Sequence, residues 1–285
     1  MEMNLIESRE DNPLVSVIIP TRNSGKTLNL CLQSIATQTY QQIEVMVVDG
    51  GSMDETVAIA QKHKAKVITC KVGGRTHARN VGASHASGEF LLFIDSDEVL
   101  PPKLVEECID IVLNGRVEVI FLSQIDTGLS YFGKSRQLAA IMNLKLRGEI
   151  NVPNSLLRFY SKKAFEQLNG YDEDLVFAED FIQALKCFET GFISARCKVP
   201  LMHYPPEKLR NIFLKRYSYG KTFRRYKEKA STFGTRHTLV EYFSKGFFYI
   251  WNISKLPDYG RYIPGFFMVK LIEMLGLRLG NLLSS

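Results

Sequence analysis

The chain has 285 residues, of which 45% are hydrophobic and 23% are charged. These values exclude a disordered chain, a collagen and a long coiled coil, and the length is enough to bury a sizeable core. The net charge of +6 is unevenly distributed: residues 205–285 hold 15 Lys and Arg against 5 Asp and Glu, so residues 1–204 are mildly acidic. A basic tail of this kind is typical of a segment that binds an anionic membrane surface or nucleic acid.

The five cysteines are odd in number and include no Cys-x-x-Cys pair. This favours a reduced, intracellular protein over a disulfide framework or a zinc site. The first residues include Glu2, Glu7 and Glu10, which do not fit a secretory signal, and no apolar run reaches the roughly 20 residues that cross a bilayer. We therefore expect a cytoplasmic protein without a membrane span.

Short apolar runs alternate with helical patterns over the first 120 residues. Predicted strands cover residues 15–19, 43–48, 67–70, 90–94 and 117–122. The segment Ser52-Met53-Asp54-Glu55 fits a capping box at the start of a helix. Almost continuously apolar strands that are separated by helices predict an α/β fold with a mostly parallel sheet covered on both faces.

Regular patterns are weaker after residue 125. Few strand signals occur between Asp126 and Asn151, a strand returns at residues 156–160, and a helix begins near Ala178-Glu179-Asp180. The composition becomes basic and aromatic after Pro205-Pro206. We expect an N-terminal extension over residues 1–13, a catalytic domain over 14–205, and a helical tail over 206–285.

Polar residues follow three of the predicted strands. Thr21-Arg22-Asn23 follows the first, Asp49 and then Asp54 follow the second, and Asp95-Ser96-Asp97 follows the fourth. Ligands of open parallel sheets bind at the carboxyl ends of strands. Two neighbouring carboxylates repel each other unless a cation lies between them, and Mg²⁺ or Mn²⁺ suits carboxylates and phosphates together. Helix caps and a solvated turn are the alternative reading.

The ordered motifs resemble the family 2 glycosyltransferases over about residues 14–204. They are Val17-Ile18-Ile19-Pro20-Thr21-Arg22-Asn23, Val47-Val48-Asp49-Gly50-Gly51-Ser52-Met53-Asp54-Glu55-Thr56, Arg79-Asn80-Val81-Gly82, Phe93-Ile94-Asp95-Ser96-Asp97, Gly170-Tyr171-Asp172-Glu173 and Ala178-Glu179-Asp180. The resemblance implies a GT-A (Rossmann-like) fold, a nucleotide-sugar donor and inversion of configuration by direct displacement.

Residue roles follow from this resemblance. Donor binding is expected of Pro20, Thr21, Arg22, Asn23, Asp49, Asp54, Arg75, Arg79, Asp95 and Ser96. Among these, Asp49 would accept a hydrogen bond from the base, and Arg75 and Arg79 would face the phosphates. Arg79 also fits an ordinary cation on a helix surface.

Catalysis and metal binding are assigned in the same way. Asp180, next to Glu179, would act as the general base towards the acceptor hydroxyl, although acidic residues also suit a helix N-terminus. Asp97 would bind Mg²⁺ or Mn²⁺, with Asp95 and His203 as further ligands. A lone histidine such as His203 is also compatible with simple packing in the core.

The basic tail has two readings. Lys208 to Lys229 contains nine Lys and Arg with aromatic residues between them. Such a segment suits interfacial helices or single-stranded nucleic acid. Residues 247–251 and 263–282 look like in-plane amphipathic helices, or helices that pack on the catalytic domain. Because many relatives act on lipid-linked acceptors, we expect peripheral attachment to an anionic membrane and disfavour nucleic acid; the oligomeric state stays open.

Single-sugar transfer is favoured over polymerisation, because the Gln-x-x-Arg-Trp element of processive members is absent and Trp251 is the one tryptophan. The expected acceptor is a lipid-linked phosphate or glycan. A sugar nucleotidyltransferase would need a glycine-rich loop after the first strand, and Pro20 to Gly25 fits it poorly. A non-catalytic nucleotide-sugar, membrane or RNA-binding module is the third reading. A dehydrogenase is disfavoured because no Gly-x-Gly-x-x-Gly follows the first strand.

Overall fold

The computed structural model describes residues 12–146, 156–234 and 257–283. Its main feature is a seven-stranded sheet of order β3-β2-β1-β4-β8-β6-β9. The strands are β1 (Val15–Thr21), β2 (Ile43–Asp49), β3 (Lys66–Thr69), β4 (Phe90–Phe93), β6 (Val119–Leu122), β8 (Leu156–Ser161) and β9 (Ser194–Arg196). Strand β8 runs antiparallel to both of its neighbours, and the other pairings are parallel. The predicted α/β class and mostly parallel sheet are confirmed.

Strand β1 lies at the centre of the fold, and all seven of its residues are buried. Its β-branched and apolar side chains point alternately to the two faces, where separate hydrophobic clusters form around Ile19 and Ile18. The register pairs Thr21 with Asp49 at the carboxyl ends of β1 and β2. The loops that follow β1, β2 and β4 therefore emerge at one edge of the sheet.

A second, three-stranded sheet has the order β5-β10-β7. Its strands are β5 (Glu98–Val99), β7 (Gln124–Asp126) and β10 (Leu201–His203). The register sets His203 opposite Glu98 on one side and opposite Asp126 on the other. This short sheet thus brings a residue from the end of the predicted catalytic domain next to the Asp95-Ser96-Asp97 turn.

Helices cover both faces of the main sheet and form the C-terminal region. They are α1 (Leu28–Ala36), α2 (Thr56–Lys62), α3 (Arg75–His85), α4 (Leu104–Gly115), α5 (Tyr131–Leu146), α6 (Lys162–Gln167), α7 (Glu179–Thr190), α8 (Leu209–Gly220), α9 (Phe223–Thr232) and α10 (Ile263–Leu282), with a 3₁₀ turn at Pro257–Tyr262. Helix α5 fills much of the segment in which the sequence patterns were weak. Most of the predicted extension and the apolar run at 247–251 lie outside the described residues.

The C-terminal helices pack on one another and on the body. A Cβ on Gly220 of α8 would lie 2.3 Å from the Leu277 carbonyl oxygen, and one on Gly280 of α10 would lie 2.1 Å from the Tyr217 carbonyl oxygen. Glycine at both positions lets the two helix backbones cross closely. Helix α9 packs on α7 through Tyr226 and Phe181. The described part of the tail therefore packs against the body, and none of its helices is long and apolar enough to span a bilayer.

Candidate functional site

The loops after β1 and β2 are joined by side-chain to backbone hydrogen bonds. Asn23 has a left-handed backbone (φ 51°), and its Oδ1 accepts a hydrogen bond of 2.9 Å from the Met53 backbone N–H. The Asn23 backbone N–H donates to Ser52 Oγ at 2.8 Å. Asp54 accepts from the Gly25 backbone N–H at 3.0 Å. The two loops are therefore held in a fixed relationship.

The capping box predicted for Ser52 and Glu55 does not form. The Ser52 hydroxyl donates to Asp49 Oδ1 at 2.5 Å and makes no capping hydrogen bond to helix α2. Asp54 serves the helix start instead, since its Oδ1 accepts from the Thr56 backbone N–H at 3.1 Å. Hydrogen bonding, first of all by the Thr56 hydroxyl, lowers the pKa of the exposed Asp54 carboxyl.

Asp49 is buried, with 3% of its surface exposed. Its carboxylate accepts hydrogen bonds from the Gly51 and Ser52 backbone N–H groups and from the Thr21 and Ser52 hydroxyls. These four bonds fill the roughly four acceptor positions of a carboxylate. The hydrogen bond predicted from a nucleotide base would have to replace one of them. Pro20 is buried beside Thr21 in β1, whereas Arg22 is exposed in the loop.

Asp95 lies among three arginines. Arg79 Nη2 is 2.7 Å from Asp95 Oδ1, Arg158 reaches both carboxylate oxygens at 3.4–3.5 Å, and Arg75 Nη1 is 3.6 Å from Oδ2. Burial alone would raise the pKa of Asp95, but the arginines outweigh it and hold the pKa well below its usual range. The neighbouring Ser96 hydroxyl donates to Ser24 Oγ at 2.9 Å, which ties this turn to the loop after β1.

This cluster corrects the expectation for Arg79 and bears on that for Asp95. Arg79 has no exposed surface and pairs with Asp95, Glu179 and Asp180, so it neither faces a donor phosphate nor lies on a helix surface. Asp95 as a metal ligand stays a prediction, and its three guanidinium neighbours would oppose a divalent cation at this carboxylate. Arg75 keeps 30% of its side chain exposed and remains available at the cavity surface.

The Glu179-Asp180 pair opens helix α7 after Ala178, which has a left-handed backbone (φ 57°). Glu179 accepts hydrogen bonds from Arg75 at 2.5 Å and Arg79 at 3.1 Å. Burial would raise the pKa of Glu179, but the arginines lower it overall. Glu179 is therefore a fixed anion that holds the arginines, which argues against a proton-transfer role.

Asp180 differs from its neighbour. Arg158 Nη2 lies 3.2 Å from its Oδ2, whereas its buried Oδ1 makes no hydrogen bond with any described residue. Burial raises the pKa of Asp180, Arg158 opposes the rise, and Glu179 adds to it, so that the net shift is upwards. Oδ1 is thus an acceptor without a hydrogen-bond donor in the described part of the chain.

Asp97, His203 and Asp126 form a row. His203 Nε2 lies 3.3 Å from Asp97 Oδ2, and His203 Nδ1 lies 2.7 Å from Asp126 Oδ1. Burial would lower the pKa of His203, but the hydrogen bonds to Asp126 and Asp97 raise it to about 9. The structure therefore brings together the predicted Asp97 and His203. No cluster of three or more metal-binding His, Cys, Asp or Glu side chains occurs within the described ranges.

A cavity of about 360 Å³ brings together part of these groups. Asp95, Asp180 and His203 lie on its lining together with cations from four elements, α3, α5, β8 and α8. The cationic lining residues are Arg75, Arg136, Arg158, Lys215 and Arg216. Helix α8 closes one side with Lys215, Arg216 and Tyr219, so residues beyond 205 form part of the cavity wall.

Several lining residues were not found from the sequence. Arg158 sits within the apolar run of β8, and Asp126 and Arg136 lie in the segment whose patterns were weak. The one available signal was Arg158 itself, a cation inside a predicted buried strand, which requires a charged partner. Asp126 gave no such signal, because its strand β7 has only three residues and leaves no recognisable pattern in the sequence.

The sequence comparisons identify the family. The family model described as glycosyl transferase family 2 matches residues 16–185, which is more than half of the chain. The chain belongs to glycosyl transferase family 2. Among curated relatives, glycosyltransferase GlyG of Streptococcus pneumoniae is 37% identical over 99 residues, and chondroitin synthase of Escherichia coli is 27% identical over 188 residues. These matches cover 33% and 63% of this chain, and only 33% and 27% of the relatives.

Two solved structures share the fold. Mannosyltransferase PcManGT of Pyrobaculum calidifontis, solved with GDP-Man and Mn²⁺, gives a TM-score of 0.61 at 17% identity and covers 95% of this chain and 74% of that one. S. aureus TarS 1-349, solved with UDP-GlcNAc, gives a TM-score of 0.56 at 18% identity. The match covers 94% of this chain and 90% of that one. The predicted GT-A fold is thereby confirmed for this family 2 chain.

Proposed function

We propose that the protein transfers a single sugar, with inversion, from a nucleotide-sugar donor to a lipid-linked acceptor. Family membership supports the donor class, and the structural neighbours that were solved with UDP-GlcNAc and GDP-Man agree with it. The observation that carries the proposal is the shared cavity, in which the candidate base Asp180 and the candidate metal ligand His203 line the same space. A non-catalytic nucleotide-sugar-binding protein has no need of a base there.

A divalent metal fits the pair Asp97 and His203. Two adjacent ligands of octahedral Mg²⁺, each about 2.1 Å from the ion, lie about 3 Å apart, and the Asp97 and His203 atoms are separated by 3.3 Å. Carboxylate, imidazole and the donor diphosphate together make a suitable ligand set for Mg²⁺ or Mn²⁺. When bound, the metal offsets the negative charge that develops on the departing nucleoside diphosphate. Structural neighbours were solved with Mn²⁺.

Asp180 is the proposed general base. Asp180 lines the cavity, and its Oδ1, which lies 3.6 Å from Arg79 Nη1, makes no hydrogen bond with a described residue, so the carboxylate can accept the proton of an acceptor hydroxyl. A raised pKa makes the carboxylate a better proton acceptor than an ordinary aspartate. Arg158 holds the side chain in place through Oδ2 and stabilises the anionic form. The proton leaves the hydroxyl as its oxygen attacks the anomeric carbon.

A lipid-linked acceptor is supported by the C-terminal region. Helix α10 exposes an apolar stripe at three- and four-residue spacing, which is the pattern of a helix lying in a bilayer interface. Its members are Phe267, Met268, Leu271, Leu275, Leu279 and Leu282. Exposed cations on the loop to α9 and on α9 itself, Lys221, Arg224 and Arg225, suit anionic headgroups. Because α8 lines the cavity, a membrane-bound tail would set the active site near lipid-linked acceptors.

The test is a panel of nucleotide sugars with Mn²⁺ or Mg²⁺, scored for nucleotide release with and without bacterial lipid extract. We expect one donor to give metal-dependent release that lipid extract stimulates. Asp180→Asn is the negative control, and Asp110→Asn, on the exposed side of α4, is the matched control. Donor binding without sugar transfer under any condition would support the non-catalytic alternative.

A further inference from the structure

A line of ion pairs runs from the C-terminal helix to the candidate metal ligand His203. Glu273 of α10 is 3% exposed and accepts hydrogen bonds from Arg216 at 2.9 Å and Lys270 at 2.8 Å. Arg136 of α5 reaches it from the other side, with Nη1 3.9 Å from Oε1. A buried carboxylate with three cationic neighbours is a strongly fixed charge.

Arg136 also reaches the second sheet. Its Nη2 lies 3.5 Å from Asp126 Oδ2, while Nη1 faces Glu273, so one guanidinium links two carboxylates. Only 12% of the Arg136 side chain is exposed. Gln124 adds a hydrogen bond of 3.2 Å to Asp126 Oδ1. Asp126 is thereby restrained on both oxygens.

Asp126 in turn restrains His203. Its Oδ1 lies 2.7 Å from Nδ1 of the imidazole, and the strand register puts the two residues side by side. With the Nδ1 proton donated to Asp126, Nε2 is directed at Asp97, and a metal that binds Nε2 would displace the proton of this atom. A carboxylate behind a metal-binding histidine fixes both the ring orientation and the position of the proton.

We propose that Asp126 is the positioning residue of His203, and that Arg136 and Glu273 hold Asp126, so that helix α10 supports the metal site from outside the cavity. This inference rests on the proposed metal site at Asp97 and His203. It assigns a role in that site to three residues outside the motifs that carried the family resemblance. It also gives the C-terminal region a function in addition to membrane contact.

The first experiment measures the Asp126–His203 hydrogen bond directly. Full-length protein with ¹⁵N-labelled histidine has five imidazoles, and His203→Gln identifies the signal of His203. We expect a slowly exchanging Nδ1–H signal that disappears in Asp126→Ala. A signal that persists unchanged in Asp126→Ala would overturn the proposal.

The second experiment measures Mn²⁺ affinity by electron paramagnetic resonance, without nucleotide or acceptor. Asp126→Asn should weaken Mn²⁺ binding by about 10- to 100-fold. Asp172→Asn is the matched control, because Asp172 also pairs with two cations, Lys186 and Lys229, but does not line the cavity. Equal affinity in wild type and Asp126→Asn would refute the positioning role.

The link to the C-terminal helix is tested by Glu273→Gln and Arg136→Lys. Both should weaken Mn²⁺ binding by about two- to tenfold while the melting temperature stays above the assay range. Lysine keeps the charge of Arg136 but cannot reach the carboxylates of both Asp126 and Glu273. Arg136→Lys therefore tests the link between these two residues even if Glu273→Gln folds poorly. Glu228→Gln, in an exposed pair with Arg224, is the control.

Unchanged Mn²⁺ affinity in a folded Arg136→Lys would refute the role of helix α10. Neither the proton signal nor the Mn²⁺ affinity depends on sugar transfer. Failure of this proposal is therefore distinguishable from failure of the proposed activity. If only the sugar-transfer activity is absent, the Nδ1–H signal and the Mn²⁺ affinity stay as expected.

Discussion

Arg158 Nη2 lies 3.2 Å from Oδ2 of Asp180 and is 3.4 Å from Oδ2 of Asp95. A single buried cation from β8 therefore pairs with both the candidate base and the first carboxylate of the Asp95-Ser96-Asp97 turn. A neutral side chain in place of Arg158 leaves the carboxylates of Asp180 and Asp95 with one neighbouring cation fewer. No additional water reaches them to compensate for the lost charge.

Arg158→Met should destabilise the protein by about 3–5 kcal/mol, because it leaves buried charge uncompensated. It should also raise the pKa of Asp180 further, since Arg158 is the cation that most opposes the rise caused by burial. The acid limb of the pH–rate profile should move to higher pH. Urea unfolding and a pH series measure the two effects, with exposed Arg278→Met as the control. A limb that moved to lower pH would contradict this account.

Asp180→Asn should lower the transfer rate to a hydroxyl acceptor by about 10²- to 10⁴-fold, because the general base is lost. The rate of the wild type should rise with pH through the raised pKa of Asp180, since only the carboxylate accepts a proton. The variant should lose this limb while it still binds the donor. Steady-state kinetics from about pH 4, close to the usual pKa of an aspartate, up to about pH 9 test this. A phosphate acceptor is already ionised and would show a smaller loss.

Asp97→Ala should abolish the metal-dependent part of nucleotide binding. Asp97 contributes the carboxylate that lies beside His203 Nε2. The measurement is calorimetry of UDP and GDP with and without Mn²⁺. Equal Mn²⁺-dependent affinity in wild type and variant would remove Asp97 from the site.

Gly82→Ala should destabilise the fold by about 1–3 kcal/mol through overpacking. A Cβ at this position of α3 would lie 2.3 Å from Ile18 Cγ2 and 3.1 Å from Val48 Cγ2, at the contact between the helix and the sheet. Gly74→Ala, at the start of the same helix, is the control, because no atom lies within 4 Å of its Cβ. Thermal unfolding of the two variants should differ clearly, and indistinguishable curves would argue against this packing.

Changing Lys221, Arg224 and Arg225 together to Gln should weaken binding to anionic liposomes. Each cation near an anionic surface contributes about 1 kcal/mol before screening by salt. Lys62, Lys64 and Lys103 are also exposed and serve as the control set on the catalytic domain. Co-sedimentation at low salt compares the variants. Binding of wild type to single-stranded RNA instead of liposomes would favour the nucleic-acid alternative.

Much of the main sheet was predictable from the sequence, because its strands are nearly continuous apolar runs. The loops after β1, β2 and β4 were found for the same reason: each polar group follows such a run directly. The approach of His203 to Asp97 was expected from family resemblance alone, since no local pattern links residues so far apart.

The arginine cluster around Asp95 could not be predicted. Arg79 looked like a surface cation because polar residues surround it in the sequence, yet it is fully buried between α3 and α7. Only the antiparallel pairing of β8 with β4 brings Arg158 to the same point. Helix α5 mixes polar and apolar residues without a clear helical period, which hid both the helix and Arg136.

The proposed donor loops and the wall of the cavity are built by two regions with separate constraints. The loops after β1 and β2 are locked to each other by Asn23, Ser52 and Asp54, whereas Lys215, Arg216 and Tyr219 come from the tail. Under the proposed function, substitutions in α8 can change what the cavity accepts without disturbing the locked loops. Donor choice and acceptor choice can then evolve independently, and chimaeras that exchange residues 206–285 between relatives would retarget the enzyme to new acceptors.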